Sequence, residues 1–160
     1  MLFSQGCTPE LKQTLTNFEN YMIELDKTLQ KKVRKILDEE DTKKSINYKE
    51  STGLLIEITS FKVDPSHVKR EEKVHLSVEY SVLGADKGGV QIRDTKILLH
   101  NNKTIATLSD EEIKRKNGTW ESTMTFIVPK SADLGLHKVK QAVTTGYISS
   151  QSLGFFTVTQ

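Results

Sequence analysis

A single cysteine, Cys7, rules out an internal disulfide, so packing and hydrogen bonds must hold the fold. Three prolines and nine glycines in 160 residues are too few for a linker-dominated chain. Aromatic residues make up only 7%, which suits a modest core. Neither sign of charge dominates. The 23 basic and 21 acidic residues leave a formal charge of +2, and no global field favours nucleic acid. No apolar run is long enough to span a bilayer. The first six residues lack both the basic start and the full apolar stretch of an export signal.

Catalytic signatures are missing too. The four histidines, His67, His75, His100 and His137, fall in no metal or protease motif, and without a second cysteine a zinc site would need His and carboxylates alone. The acidic runs Asp38–Asp41 and Asp110–Glu112 lack the alternating oxygen ligands and central glycine of a calcium loop. Gly84–Gly89 is not followed by the Lys-Ser/Thr of a phosphate loop, and no Gly-x-Ser-x-Gly elbow occurs. The expectation is a protein without enzymatic activity and without a cofactor.

What the chain does have is a change of hydrophobic rhythm. Up to about Leu37 apolar residues recur at intervals of three and four; from Leu54 they recur every second residue. Thr8-Pro9 offers a helix start, since Thr caps free amides and Pro fits the first helical position. The stripe Leu11, Leu15, Phe18, Met22, Leu25, Leu29, Val33 and Ile36 predicts one long amphipathic helix from Pro9 to about Asp38, roughly 45 Å in length. Read as heptads the seam breaks at Lys32, so a helix packed on its own body or in a bundle of protomers fits better than a two-stranded supercoil. The acidic run Asp38–Asp41 stands where a helix end disfavours negative charge, and Thr42–Gly53 reads as a connection. Lys31–Lys35 and Lys114–Lys116 have acidic neighbours and read as solvated surface.

Beyond the connection, strands follow at Leu54–Val63, Val74–Val82, Val90–His100, Thr104–Leu108, Trp120–Val128, Leu136–Thr145 and Leu153–Thr159. Turns at Asp64-Pro65, Gly84–Gly89, Asn101-Asn102 and Gly146 punctuate them. Ser109–Gly118 reads as a charged loop. The division expected is a helix and linker over residues 1–53 and a body over 54–160.

Three places in the body resemble an immunoglobulin-like or fibronectin-type sandwich of bacterial envelope proteins. They are Phe61–Pro65 with Lys73–Leu76, Gly118–Trp120 with Met124–Pro129, and Asp133-Leu134-Gly135-Leu136-His137, which is similar to an Asp-x-Gly-x-Tyr corner with His137 in the tyrosine's place. The resemblance covers about two thirds of the chain and implies a mainly β fold: an antiparallel sandwich of about seven strands preceded by the helix. It implies little about function, because the architecture hosts many roles. Val139 stands where antibody-type domains carry a cysteine.

Gly6-Cys7 resembles the cleavage point of a bacterial lipoprotein signal, with Ser4 departing from the usual Leu; it makes Cys7 a candidate for lipidation and membrane attachment through acyl chains alone. The expected role is a protein-interaction or assembly module of the cell envelope, periplasmic or at the surface. Its partner would be another protein, or a second copy through the helix, and not nucleic acid. The loop residues Asp86, Lys87, Gly88, Gly89, Tyr147 and Ile148 are the candidate contact points. The alternative is a carbohydrate-binding module that uses exposed loop aromatics such as Tyr147. Trp120 and Tyr80 alternate in register with strands and read as core.

Overall fold

The computed structural model describes residues 9–160, with side chains from residue 18 onward. Cys7 and the side chains of Leu11 and Leu15 lie outside the described residues. The chain runs as α1 (Pro9–Thr28), β1 (Gln30–Leu37), α2 (Glu39–Ser45), a 3₁₀ turn (Glu50–Thr52), β2 (Leu55–Asp64), β3 (His67–Lys69), β4 (Lys73–Leu83), β5 (Val90–His100), β6 (Lys103–Arg115), β7 (Gly118–Ile127), β8 (Gly135–Thr145) and β9 (Ile148–Thr159). The fold is mainly β, with nine strands among the described residues instead of about seven.

Two sheets form, one ordered β1-β7-β4-β2 and the other β3-β9-β8-β5-β6. Neighbouring strands run antiparallel except β3 and β9, which are parallel. The sheets pack face to face because β4, β5, β7, β8 and β9 each turn alternate apolar side chains inward. Phe126 of one sheet meets Phe156 of the other edge to face, with ring centroids 6.1 Å apart. One apolar cluster gathers Val74, Leu76, Leu98, Met124, Phe126, Val139 and Phe156; a second gathers Ile56, Tyr80, Val82, Ile92 and Val143.

The long helix is corrected. The helix stops at Thr28, and Leu29, Val33 and Ile36 leave it, the last two as part of β1 on the edge of β7. In a helix Lys31, Lys32, Arg34 and Lys35 would stack like charges three and four residues apart. In the strand they separate: Lys31 pairs with Glu111 at 2.6 Å and Arg34 with Glu121 at 2.7 Å. The Thr28 hydroxyl meets the strand start by accepting from the Ile127 N–H at 3.0 Å. The stripe is amended as well. Leu25 is fully buried and Met22 and Leu29 pack beside it, but Phe18 is exposed and Tyr21 takes a core place. The described end of the helix therefore rests on its own body.

The acidic run begins a helix instead of ending one. Asp38 caps α2 by accepting from the Asp41 N–H at 2.9 Å, and Glu39, Glu40 and Asp41 occupy its first turn, where the dipole favours them. Ser109–Gly118 is likewise no loop, because β6 continues to Arg115. A bulge masks the strand's alternation in the sequence. Lys96 faces Ser109 while Ile97 faces Thr107, so Leu108 is extra and the inward phase slips by one.

Gly84, at the end of β4, has φ +77°, and a Cβ there would run into the carbonyl oxygen of Gly53. Gly84→Ala is expected to cost about 1–3 kcal/mol in urea unfolding, from a disfavoured backbone and a clash with main chain.

Candidate functional site

Between the two apolar clusters the sandwich carries a layer of polar side chains. Each contributing strand places one or two of them at an inward position flanked by apolar neighbours. On β5 the inward series is Ile92, Asp94, Lys96, Leu98; on β8 it is Val143, Gln141, Val139; on β7 it is Trp120, Ser122, Met124. Asp94, Lys96, Gln141 and Ser122 are all at most 1% exposed.

They form one hydrogen-bonded group. Lys96 Nζ donates to Asp94 Oδ1 at 3.1 Å and to Ser122 Oγ at 3.3 Å. Gln141 Nε2 donates to the same Asp94 oxygen at 2.9 Å and to the Ala142 carbonyl at 3.3 Å. Asp94 Oδ2 and Gln141 Oε1 have no partner among the described residues. Burial pushes the Lys96 amine below its ordinary range, and the Asp94 charge opposes that shift. The group thus sets a buried amine and a carboxamide nitrogen on one and the same carboxylate oxygen. Sequence reasoning missed it. The signal was two charged residues at inward positions of a strand bounded by Ile92 and Leu98.

At its flank, the edges β1 and β6 meet. Lys31 reaches across to Ser109 Oγ at 3.1 Å as well as to Glu111. The Trp120 ring carries two cations, Lys35 at 5.1 Å from the ring centroid and Arg115 at 4.7 Å. Arg115 Nε donates to the buried Tyr80 hydroxyl at 2.8 Å. Burial raises the Tyr80 phenol, with Arg115 opposing.

His137 is fully buried, stacked between His100 at 4.4 Å and Phe156 at 5.1 Å. Its Nδ1 lies 3.0 Å from the Gly135 carbonyl, which fixes the tautomer protonated at Nδ1. Burial pushes its pKa below the ordinary imidazole value of 6.5; the Gly135 contact opposes this and His100 adds to it. The neutral ring is therefore the folded form, and the unfolded chain takes up a proton first as pH falls. Stability from His137 is complete above 6.5 and is lost as pH drops through the lower folded value. Melting temperatures from pH 8 to pH 4 should fall less steeply for His137→Phe than for the parent.

The sequence-predicted contact residues gather at one end. Asp86, Lys87 and Gly88 are exposed in the turn between β4 and β5, closed by the Gly89 N–H donating to the Asp86 carbonyl at 2.8 Å. Tyr147 is fully exposed at the tip of the β8–β9 hairpin, and Ile148 packs partly on the second apolar cluster. The hairpin continues into a face the sequence reading did not mark. On the outside of the five-stranded sheet Leu136, Leu153 and Phe155 are 56%, 49% and 45% exposed. There Lys138 lies between Leu99 and Phe155, and Lys140 between Ile97 and Leu153. A shallow groove follows Leu99, Lys138, Lys140 and Leu153. Among the described residues no three His, Cys, Asp or Glu side chains converge as metal ligands, and no helix is long and apolar enough to cross a membrane.

No family model matches the chain, and no curated protein matches it. Among solved structures it is similar to the sporulation control protein Spo0M from Bacillus subtilis, at 11% identity and a TM-score of 0.45, over 66% of this chain and 49% of that one. It is similar to a family 123 glycoside hydrolase from Clostridium perfringens at 11% identity and a TM-score of 0.48, over 83% of this chain and 28% of the hydrolase. It is also similar to a conjugative transposon lipoprotein from Bacteroides eggerthii at 13% identity and a TM-score of 0.38, over 64% and 95%. The chain spans about half of the first of these proteins and less than a third of the second.

Proposed function

We propose that the body is an immunoglobulin-like sandwich acting as a non-enzymatic protein-interaction module of the bacterial cell envelope, and that its partner docks on the outer face of the five-stranded sheet. The carrying observation is that Leu136, Leu153 and Phe155 stand half exposed on adjacent strands around two lysines, whereas the titratable cluster is sealed inside. Apolar side chains grouped in this way favour contact with another protein over solvent. The sandwich reading draws support from β3, which leaves the sheet of β2 and β4 and joins the other along β9. The helix serves as a brace, consistent with buried Tyr21 and Leu25. Envelope location rests on Gly6-Cys7, with Cys7 as the lipidated residue.

Site-specific photo-crosslinking in cells tests this. A photoreactive residue at Leu153 is expected to give a discrete protein adduct that Leu136→Glu removes. A probe at Glu57, on the other sheet, should give none; identical patterns from both positions would overturn the reading.

The full exposure of Tyr147 favours a second reading, carbohydrate binding by ring stacking. Glycan-array binding abolished by Tyr147→Ala would select it.

A further inference from the structure

Lys96 and Gln141 are cross-strand partners, directly opposite in the ladder between β5 and β8, and both point into the core. Opposed side chains on one face of a sheet are its closest neighbours. One carboxylate oxygen, Asp94 Oδ1, holds the amine at 3.1 Å and the carboxamide nitrogen at 2.9 Å. Ser122 fixes the amine from the opposite sheet at 3.3 Å. A nucleophile, an acyl donor and a proton carrier thus share one desolvated site. Gln141 Oε1 is unpartnered among the described residues, so the carboxamide is not held at both ends.

We propose that Lys96 and Gln141 join covalently, through an isopeptide bond between Lys96 Nζ and Gln141 Cδ that forms with release of ammonia and with Asp94 carrying the protons. Asp94 first accepts a proton from the Lys96 ammonium. Burial promotes this, because a neutral amine and a carboxylic acid cost less than two charges in an apolar interior. The amine lone pair then attacks Cδ, forming the new C–N bond. The Asp94 O–H protonates the departing amide nitrogen, the old C–N bond breaks, and ammonia leaves. Asp94 takes the surplus proton from the new amide nitrogen and passes it to the ammonia. The overall change is ammonium plus carboxamide to substituted amide plus ammonium ion. Nothing is oxidised or reduced, and Asp94 ends as it began. The product ties together two inner strands of the five-stranded sheet.

Intact mass spectrometry of the full chain, denatured, tests the proposal without any variant. The expected mass is one ammonia, about 17 Da, below that of the sequence. Trypsin should then yield a branched peptide joining residues 94–103, uncleaved at Lys96, to residues 141–160. Asp94→Asn and Lys96→Arg should both restore the full sequence mass. An unmodified parent mass overturns the proposal. So does an ammonia loss that maps elsewhere, such as a succinimide at Asn117-Gly118.

Discussion

Measured against Lys96→Arg, which keeps a cation beside Asp94 but cannot form the cross-link, Lys96→Met is expected to lower the unfolding free energy by about 3–5 kcal/mol, because it strips a buried carboxylate of its cation. Methionine nearly matches lysine in volume, so the loss reports charge and not a cavity. Asp94 would keep only the Gln141 amide on one oxygen and nothing among the described residues on the other. Urea unfolding should show a lower midpoint with an unchanged slope. The triple variant Asp94→Leu, Lys96→Met, Gln141→Leu should recover most of the loss. Replacing a complete buried polar group by apolar side chains is often neutral or stabilising, whereas leaving half of one is not. A triple variant as weak as the single one would mean that the layer stabilises the sandwich in its own right.

Leu25→Ala should cost about 2–5 kcal/mol, the range for emptying a fully buried leucine site. Leu25 is 0% exposed and lies in the same cluster as Phe126 and Phe156. Its loss would therefore be felt by the whole body. One urea transition moved to lower concentration is expected. Two separated transitions would show that the helix melts alone. Phe18→Ala, at an exposed position of the same helix, should change stability by no more than about 0.5 kcal/mol.

Much of the body was legible because strands with one buried face write their alternation into the sequence. Val74, Leu76, Val78, Tyr80 and Val82 did so, and all five are buried in β4. What escaped notice depended on distant partners. Gln30–Leu37 continues the helical spacing of α1, and only the open edge of β7 selects the strand. In β6 the alternation was present but offset by the bulge at Leu108. The Asp38–Asp41 run reads by composition as the end of the long helix, whereas it opens α2 after a strand, since a cap is read from direction as well as composition. The polar layer was hardest to see. Asp94, Lys96, Ser122 and Gln141 come from three strands, and each alone resembles an ordinary outward-facing residue. The exposed face of Leu136, Leu153 and Phe155 is hidden in the sequence because alternation on β8 and β9 places apolar residues on both sides.

The seating of β1 bears on how the protein can be divided. A fragment that begins at residue 54 would look like a tidy head in the sequence, yet it would lack one outer strand of a four-stranded sheet. The hydrogen-bonding border of β7 would lie bare from Thr119 to Thr125, beside Met124 and Phe126, which the missing residues help to shield. Borders of that kind recruit other chains. The lysine-rich strand is thus a built-in guard, and removing it invites the molecule to stick to itself.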